Sequence, residues 1–325
     1  MKAVLCQEFG AIDKLVLDEV PSPSIGAGQV KIRVRACGVN FPDILLVQGL
    51  YQMKPPFPFS PGLEVAGDIS EIGEGVEGLQ IGQRVVSTLM WGGFAEEVLA
   101  PGLMPLPISA DLSYEEAAAF PLAYGTAHVA LAQRALLKPG ETLLVLGAAG
   151  GVGLAAVELG KLLGARVIAA ASTAEKLELA RKYGADDLIN YRSDSLRDRM
   201  KALTDGRGAD VIFDPVGGDL FDQALRRIAW EGRYLVIGFA SGRIPSAPAN
   251  IALLKNASIV GFFWGAYWQH DPAIIRRSFE QLLAWFDAGK IKPHIHKTFP
   301  LENAVSALRE LQDRRVMGKV VITMP

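Results

Sequence analysis

The sequence is poor in cysteine, in excess charge of either sign and in long apolar runs. Only two of its 325 residues are cysteines, Cys6 and Cys37, which is too few for a disulfide framework or a cysteine-rich zinc module. Its 33 basic and 35 acidic residues leave a formal net charge of −2. Because nucleic acids and acidic membrane surfaces are bound through basic patches, this even balance argues against both as main partners.

Hydrophobic residues make up 50% of the sequence, yet glycine or charge interrupts every apolar stretch well short of a membrane span. Residues 1–8 reach an acidic residue before the apolar core of a signal peptide develops. We therefore expect no membrane segment and a location in the cytoplasm, where thiols stay reduced. The length exceeds that of one typical compact domain, so two domains are expected.

The character of the sequence changes near residue 118. Residues 1–118 combine strand-like alternation with turns rich in glycine and proline, which predicts a β-rich domain. Ser113 and Glu116 form a capping-box pattern, and strand and helix patterns alternate from there on. We predict strands at 142–146, 166–171, 211–214, 234–238 and 318–323, and helices at 152–163, 174–183 and 272–289. This alternation predicts an α/β fold in which helices cover both faces of a parallel sheet.

A glycine-rich turn is the most specific feature. The apolar strand 142–146 runs directly into the segment 147–153, Gly-Ala-Ala-Gly-Gly-Val-Gly, and then into a helix. Glycines let the backbone approach a pyrophosphate, and the helix N-terminus offers N–H donors and the positive end of its dipole. Ala148 replaces the first glycine of the dinucleotide-binding fingerprint. A tight turn without a ligand is the alternative, but four glycines within seven residues argue against it.

The next strand indicates which dinucleotide binds. NAD-binding domains carry an Asp or Glu about 20 residues beyond the glycines, where it accepts from ribose hydroxyls. Here residues 169–173 read Ala-Ala-Ala-Ser-Thr and contain no acid. Ser172 can donate to a 2′-phosphate and the cationic Lys176 follows it, although Lys176 taken alone also suits a solvated helix surface. The sequence therefore predicts NADPH as the cofactor.

Further motifs extend along the whole chain. They are Cys-Gly-Val-Asn-Phe-Pro-Asp at 37–43, Gln-Gly-Leu-Tyr at 48–51, Pro-Gly-Leu-Glu-Val-Ala-Gly at 61–67, Tyr-Gly-Thr-Ala at 124–127 and the glycine-rich turn. This set resembles the quinone oxidoreductases of the medium-chain dehydrogenase/reductase superfamily. The resemblance implies a GroES-like catalytic domain at 1–118, completed by 290–325, and a Rossmann NADPH-binding domain, a doubly wound parallel sheet, at 119–289. It also implies a homodimer.

Zinc is not expected. In the zinc alcohol dehydrogenases of this superfamily a Cys stands at the place of Asn40 and a His at the place of Leu63. An asparagine is a poor zinc ligand and a leucine is none, so the open tetrahedral site is not formed. The cysteine-rich lobe that holds structural zinc is also missing, because residues 91–95 run directly into the next strand.

The resemblance also assigns the cofactor contacts. They are Asn40 and Thr126 at the nicotinamide and its ribose; Ala149, Gly150, Gly151 and Val152 at the pyrophosphate; Ser172, Lys176, Tyr191 and Arg314 at the 2′-phosphate; and Gly238, Phe239, Phe263 and Trp264 near the nicotinamide amide through backbone groups. Ordinary surface packing is the alternative for Tyr191 and Arg314. Asp43 and Glu64 also match family positions; since a buried acid needs a partner, they are candidates for structural ion pairs.

The implied reaction is hydride transfer from NADPH to a small-molecule conjugated acceptor, such as a quinone or an α,β-unsaturated carbonyl. Without zinc, hydrogen bonds must stabilise the charge that develops on the acceptor oxygen. Asn40 and Tyr51 are the candidate catalytic residues, with Tyr51 as donor or acid; a half-buried structural aromatic is the alternative for Tyr51. Two other functions stay open: an NADPH-dependent enoyl (thioester or ketone) reductase, and an NADPH-binding protein with little turnover.

Overall fold

The computed structural model describes all 325 residues. Its strands are β1 (Lys2–Leu5), β2 (Val16–Glu19), β3 (Gln29–Val39), β4 (Glu64–Ile72), β5 (Arg84–Thr88), β6 (Glu97–Pro101), β7 (Leu106–Pro107), β8 (Thr142–Leu146), β9 (Arg166–Ala171), β10 (Asp187–Asn190), β11 (Ala209–Asp214), β12 (Ile228–Val236), β13 (Ser258–Gly261), β14 (Ile295–Pro300) and β15 (Lys319–Thr323). Its α-helices are α1 (Phe41–Val47), α2 (Tyr114–Ala118), α3 (Pro121–His128), α4 (Gly151–Leu162), α5 (Ala174–Lys182), α6 (Leu196–Leu203), α7 (Gly218–Leu225), α8 (Ala249–Lys255), α9 (Tyr267–His270), α10 (Pro272–Asp287) and α11 (Ala304–Gln312). A π-helical segment, Val129–Arg134, continues α3. None of the helices is long and apolar enough to cross a membrane.

The chain forms two compact units. The first consists of Met1–Leu122 together with Pro293–Pro325, and the second of Ala123–Lys292. The first unit is built mainly from β-strands, whereas strands and helices alternate through the second. The α/β class expected from the sequence is therefore confirmed.

The sheet of the first unit brings the C-terminal strand beside the N-terminal region. Its strand order is β14-β15-β3-β4-β5-β7, and β6 pairs with β3. The central strand β3 buries Val30, Ile32 and Val34 on one face. On the other face Arg33 is exposed, whereas Lys31 is buried and pairs with Glu71. Because β15 runs antiparallel to β3, with Val320 opposite Val39, the first residue of β15 lies next to the end of β3.

The second unit contains a six-stranded sheet in the order β10-β9-β8-β11-β12-β13, in which every neighbouring pair is parallel. Residues 143–146 of β8 are fully buried, as expected for a strand covered on both faces. The strand order reverses between β8 and β11. In open α/β sheets, ligands bind beyond the carboxyl ends of the strands at such a switch point.

Most of the predicted elements of this sheet are observed within a residue or two of their predicted ends, and β8 and β9 have the predicted bounds. The strand predicted at 234–238 is different, because β12 already begins at Ile228 and ends at Val236. Glu231 interrupts it with a φ of 57°, and the pairing register with β11 shifts between Ala209 and Val211. The predicted start of this strand was wrong because the irregularity at Glu231 places polar residues inside the strand, and in the sequence they resemble a turn.

Candidate active site

The glycine-rich turn connects β8 to α4 and is closely packed at Gly147 and Gly153. Gly147 follows β8 with a φ of 60°, and Gly150 is the N-cap of α4. A Cβ atom added to Gly153 would lie 2.2 Å from the carbonyl oxygen of Gly147, so the first turn of the helix packs directly on the backbone of the loop. The four predicted pyrophosphate contacts, residues 149–152, lie together in this turn, where the first N–H groups of α4 lack partners within the helix.

The turn after β11 closes against the glycine-rich turn. The buried carboxylate of Asp214 accepts hydrogen bonds from the N–H groups of Val216 and Gly217, both at 2.8 Å, and from the Tyr234 hydroxyl at 2.7 Å. Burial raises the pKa of Asp214 above its usual value. A Cβ atom on Gly147 would meet the side chain of Val216 at 2.9 Å. The two turns at the switch point of the sheet therefore contact each other.

Two further segments of the second unit carry the residues predicted near the nicotinamide amide. The Gly238 N–H donates to the Asp214 carbonyl at 3.3 Å, and a Cβ atom on Gly217 would lie 3.0 Å from the Phe239 ring. These contacts place residues 238 and 239 beside the turn after β11.

Trp264, in contrast to its exposed neighbour Phe263, is buried. Its indole N–H has no hydrogen-bond partner within the protein, and its ring lies against Gly125, where an added Cβ atom would be 3.0 Å away. Gly125 directly precedes Thr126 on α3. Because a buried donor without a partner is costly, this indole N–H is a candidate contact for a bound polar molecule.

The residues predicted around the 2′-phosphate lie in both units. Ser172 directly follows β9 and Tyr191 directly follows β10, and these strands pair in parallel with Asn190 opposite Ala171. Lys176 is in the first turn of α5, whose N-cap Thr173 accepts from the Lys176 N–H at 3.3 Å. Ser172, Lys176 and Tyr191 thus share one edge of the second unit. Arg314 belongs to the first unit, in the exposed turn after α11.

Asn40 is the N-cap residue of α1 and is held there through its backbone N–H. The Asn40 N–H donates to Oδ2 of Asp43 at 2.7 Å, and Oδ1 of Asp43 accepts from the Gly62 N–H at 3.1 Å. Asp43 is fully buried, and this burial raises its pKa to about 7, against the lowering effect of the Asn40 and Gly62 hydrogen bonds. These hydrogen bonds fix the backbone position of Asn40.

The side chain of Asn40 belongs to a buried ion-pair cluster. Nζ of Lys319 lies 2.7 Å from Oε1 of Glu64 and 2.6 Å from Oδ1 of Asn40. Nδ2 of Asn40 donates to the same Glu64 oxygen at 2.7 Å and to the Gly38 carbonyl at 3.2 Å, while Oε2 of Glu64 accepts from the Leu122 N–H at 2.7 Å. The partner expected for the buried Glu64 is therefore Lys319, a residue that the sequence analysis did not single out.

Tyr51 follows α1 and packs, half-buried, against the core of the first unit. Burial, followed by the charge of nearby Asp43, raises the pKa of its phenol to about 12. The hydroxyl therefore keeps its proton at neutral pH and can act as a hydrogen-bond donor.

Comparison with known proteins identifies the family. The alcohol dehydrogenase GroES-like domain matches residues 26–109, and the zinc-binding dehydrogenase family matches residues 151–288. A quinone oxidoreductase-like protein 2 homolog from Nematostella vectensis is 44% identical over 99% of this chain and 88% of its own length. The chain belongs to the quinone oxidoreductase family. Within the family, the Thermus thermophilus quinone oxidoreductase, known also in complex with NADPH, shares 34% identity and a TM-score of 0.86, with both chains fully covered. The Escherichia coli quinone oxidoreductase complexed with NADPH shares 28% identity and a TM-score of 0.94, again over both full chains.

The zinc named in one of these family descriptions does not fit the side chains present in this quinone oxidoreductase homologue. Leu63 is buried and offers no donor atom. Burial raises the pKa of the Cys37 thiol well above its usual value, which opposes the thiolate that zinc requires. Beside Asn40 and Glu64 lies the ammonium group of Lys319, which repels a second cation.

Proposed function

We propose that the chain is a cytoplasmic, homodimeric and zinc-independent oxidoreductase that transfers a hydride from NADPH to a quinone or another conjugated carbonyl compound. The observation that carries the proposal is the switch point of the parallel sheet beyond β8 and β11, where a glycine-rich turn leads into the N-terminus of a helix. This is the arrangement that binds dinucleotides, and two structural relatives within the family are known with NADPH.

NADPH is the cofactor, and it supplies the hydride when bound. The pyrophosphate is bound by residues 149–152, at the start of α4, where the first N–H groups of the helix lack partners within it. Ser172, Lys176 and Tyr191 share the edge of the sheet where the 2′-phosphate is expected. The unpartnered indole N–H of Trp264 is a donor for the carboxamide oxygen of the nicotinamide.

Asn40 and Tyr51 receive different roles. Both amide hydrogens of Asn40 are already donated within the protein, to Glu64 and Gly38, so Asn40 contributes its oxygen as an acceptor. Tyr51 keeps its phenolic proton and donates a hydrogen bond to the acceptor oxygen as negative charge develops there. Tyr51 is thus the proposed hydrogen-bond donor to the acceptor, and Asn40 a ligand of the cofactor.

Replacing Tyr51 by Phe is expected to lower kcat for quinone reduction about 100-fold, the lower end of the effect of removing one hydrogen-bond donor to a developing oxyanion. The Kd for NADPH should stay unchanged, because the variant loses only a donor to the acceptor oxygen. Tyr114→Phe is the matched control: its hydroxyl is hydrogen-bonded to Asp68, and its loss should leave kcat unaltered. A Tyr51→Phe enzyme with the wild-type kcat would remove Tyr51 from the mechanism.

The acceptor is tested by following NADPH absorbance with a panel of quinones, enones and enoyl thioesters in buffer that contains a chelator. The proposal expects fastest turnover with quinones and no inhibition by the chelator. Turnover restricted to enoyl thioesters or ketones would establish the enoyl reductase instead. NADPH binding without turnover of any compound would point to a protein that binds the cofactor for another purpose.

The open edge of the second unit supports the homodimer. β13 is the last strand of the six-stranded sheet, so one side of its backbone has no strand partner within the protomer, and Leu253 and Leu254 of α8 are 76% and 71% exposed. Light scattering should give twice the protomer mass, and the double variant Leu253→Glu/Leu254→Glu should shift the protein toward monomer. Leu50→Glu, at an equally exposed position of the first unit, should not. A wild-type protein of protomer mass would contradict the dimer.

A further inference from the structure

Lys319 is a lysine whose ammonium group is fully enclosed by hydrogen-bond acceptors. It begins β15, and its side chain is 5% exposed. Its Nζ donates to the Val39 carbonyl at 3.1 Å, to Oδ1 of Asn40 at 2.6 Å and to Oε1 of Glu64 at 2.7 Å. These three bonds use all three hydrogens of the ammonium group. Lys319 therefore has no donor left for a ligand and acts only through the groups it holds.

The ammonium group determines which way the Asn40 amide faces. An ammonium ion can only donate, so it requires the oxygen of Asn40, and the amide nitrogen then faces the carboxylate of Glu64. The reversed amide would place its NH2 group against the ammonium of Lys319 and its oxygen against the carboxylate of Glu64. Both contacts would be repulsive, so the ion pair allows only one orientation of the Asn40 amide.

Asn40 is the member of the cluster that a ligand can reach. Lys319 and Glu64 are buried, whereas Asn40 is half-buried. Its Nδ2 hydrogens are both donated internally, and its Oδ1 accepts from Lys319 with one of two lone pairs. The second lone pair is what the Asn40 side chain retains for a bound molecule.

We infer that Lys319 is a positioning residue, which turns the Asn40 amide so that its oxygen accepts a hydrogen bond from a hydroxyl group of the bound cofactor. The inference rests on the proposed function in one respect, namely that Asn40 contacts NADPH. A purely structural role is the competing explanation. Buried ion pairs contribute little net stability compared with neutral groups of similar size, so neutralising both partners separates the two explanations.

The test is a cycle of variants with the Kd for NADPH as its readout, measured by cofactor fluorescence without an acceptor. The variants are Asn40→Ala, the neutral pair Lys319→Met/Glu64→Gln, and all three changes together, each with its Tm. The neutral pair avoids an unpaired buried charge, so a Tm close to the wild-type value is expected. Asn40→Ala and the neutral pair should each weaken NADPH binding about five- to tenfold, the effect of one hydrogen bond. The variant with all three changes should bind NADPH no more weakly than Asn40→Ala alone.

The Lys31→Met/Glu71→Gln pair is the matched control, because Lys31 is also a buried lysine paired with a glutamate on a neighbouring strand. It should leave the Kd for NADPH unchanged. Losses that multiply in the combined variant, or a neutral pair with the wild-type Kd, would overturn the positioning role while leaving the proposed function intact. A wild-type protein that binds no NADPH would overturn both.

If the neutral pair does not unfold cooperatively, a crystal structure of the wild-type protein with NADP+ bound decides. The positioning role requires Oδ1 of Asn40 within hydrogen-bonding distance of both Nζ of Lys319 and a cofactor hydroxyl. An Asn40 side chain that contacts no cofactor atom, or one released from Lys319 on binding, would overturn it.

Discussion

A Gly153→Ala protein is expected to bind NADPH about 10- to 150-fold more weakly than the wild type, the effect of losing a hydrogen bond to a charged group worth about 1.5–3 kcal/mol. The added Cβ atom would lie 2.2 Å from the Gly147 oxygen, 2.9 Å from the Gly147 carbonyl carbon and 3.1 Å from the Cα atom of Ala148. All three are backbone atoms of the glycine-rich turn, so no side chain can move away to relieve the contact. The helix α4 and the turn must separate, which displaces the N–H groups proposed to bind the pyrophosphate.

The same substitution should lower the free energy of unfolding by about 1–3 kcal/mol, the usual effect of overpacking. Gly150→Ala separates the loss of stability from the loss of NADPH affinity. Its added Cβ atom would be 3.5 Å from its nearest neighbour, the Gly147 oxygen, so its Tm should match the wild type, and any loss of affinity would report on the approach of the cofactor. A Gly153→Ala protein with the wild-type Tm and Kd would contradict the packing argument.

Much of the second unit could be predicted from its sequence, because burial and local geometry both leave a signal in adjacent residues. Residues 143–146 are fully buried, so β8 is a continuous apolar run. Gly153 must be a glycine because an added Cβ atom would meet backbone atoms of Gly147 and Ala148, which are close to it in the chain. The absence of an acid at the end of β9 is likewise a property of adjacent residues. Such signals lie within some 30 residues of each other, as they do in other dinucleotide-binding units.

The Asn40 cluster does not follow from the sequence in the same way. Lys319 is 279 residues from Asn40 and 255 from Glu64 in the chain, and a lysine at the start of a strand is ordinarily exposed. The resemblance to quinone oxidoreductases marks Asn40 as a cofactor contact, but it does not say which atom of the amide remains available. That depends on the pairing of β15 with β3, a contact between the two ends of the first unit.

Replacing Lys176 by Glu is expected to change the cofactor preference of the protein. Lys176 is in the first turn of α5, next to Ser172 at the end of β9, and no acid at that end repels a 2′-phosphate. A charge-assisted hydrogen bond is worth about 1.5–3 kcal/mol, which corresponds to a loss of about 10- to 150-fold in affinity. Repulsion between the new carboxylate and the phosphate places NADPH binding toward the upper end of that range.

NADH lacks the 2′-phosphate, so its Kd should stay within about twofold of the wild-type value, the scale of surface electrostatic effects. Lys182→Glu is the control, because it makes the same charge change in the last turn of the same helix; it should alter neither Kd. The Kd values for NADPH and NADH of all three proteins, measured at one ionic strength because salt screens such contacts, decide the assignment. Equal weakening of both cofactors by Lys176→Glu would mean that Lys176 supports the shape of this edge of the unit and does not bind the phosphate.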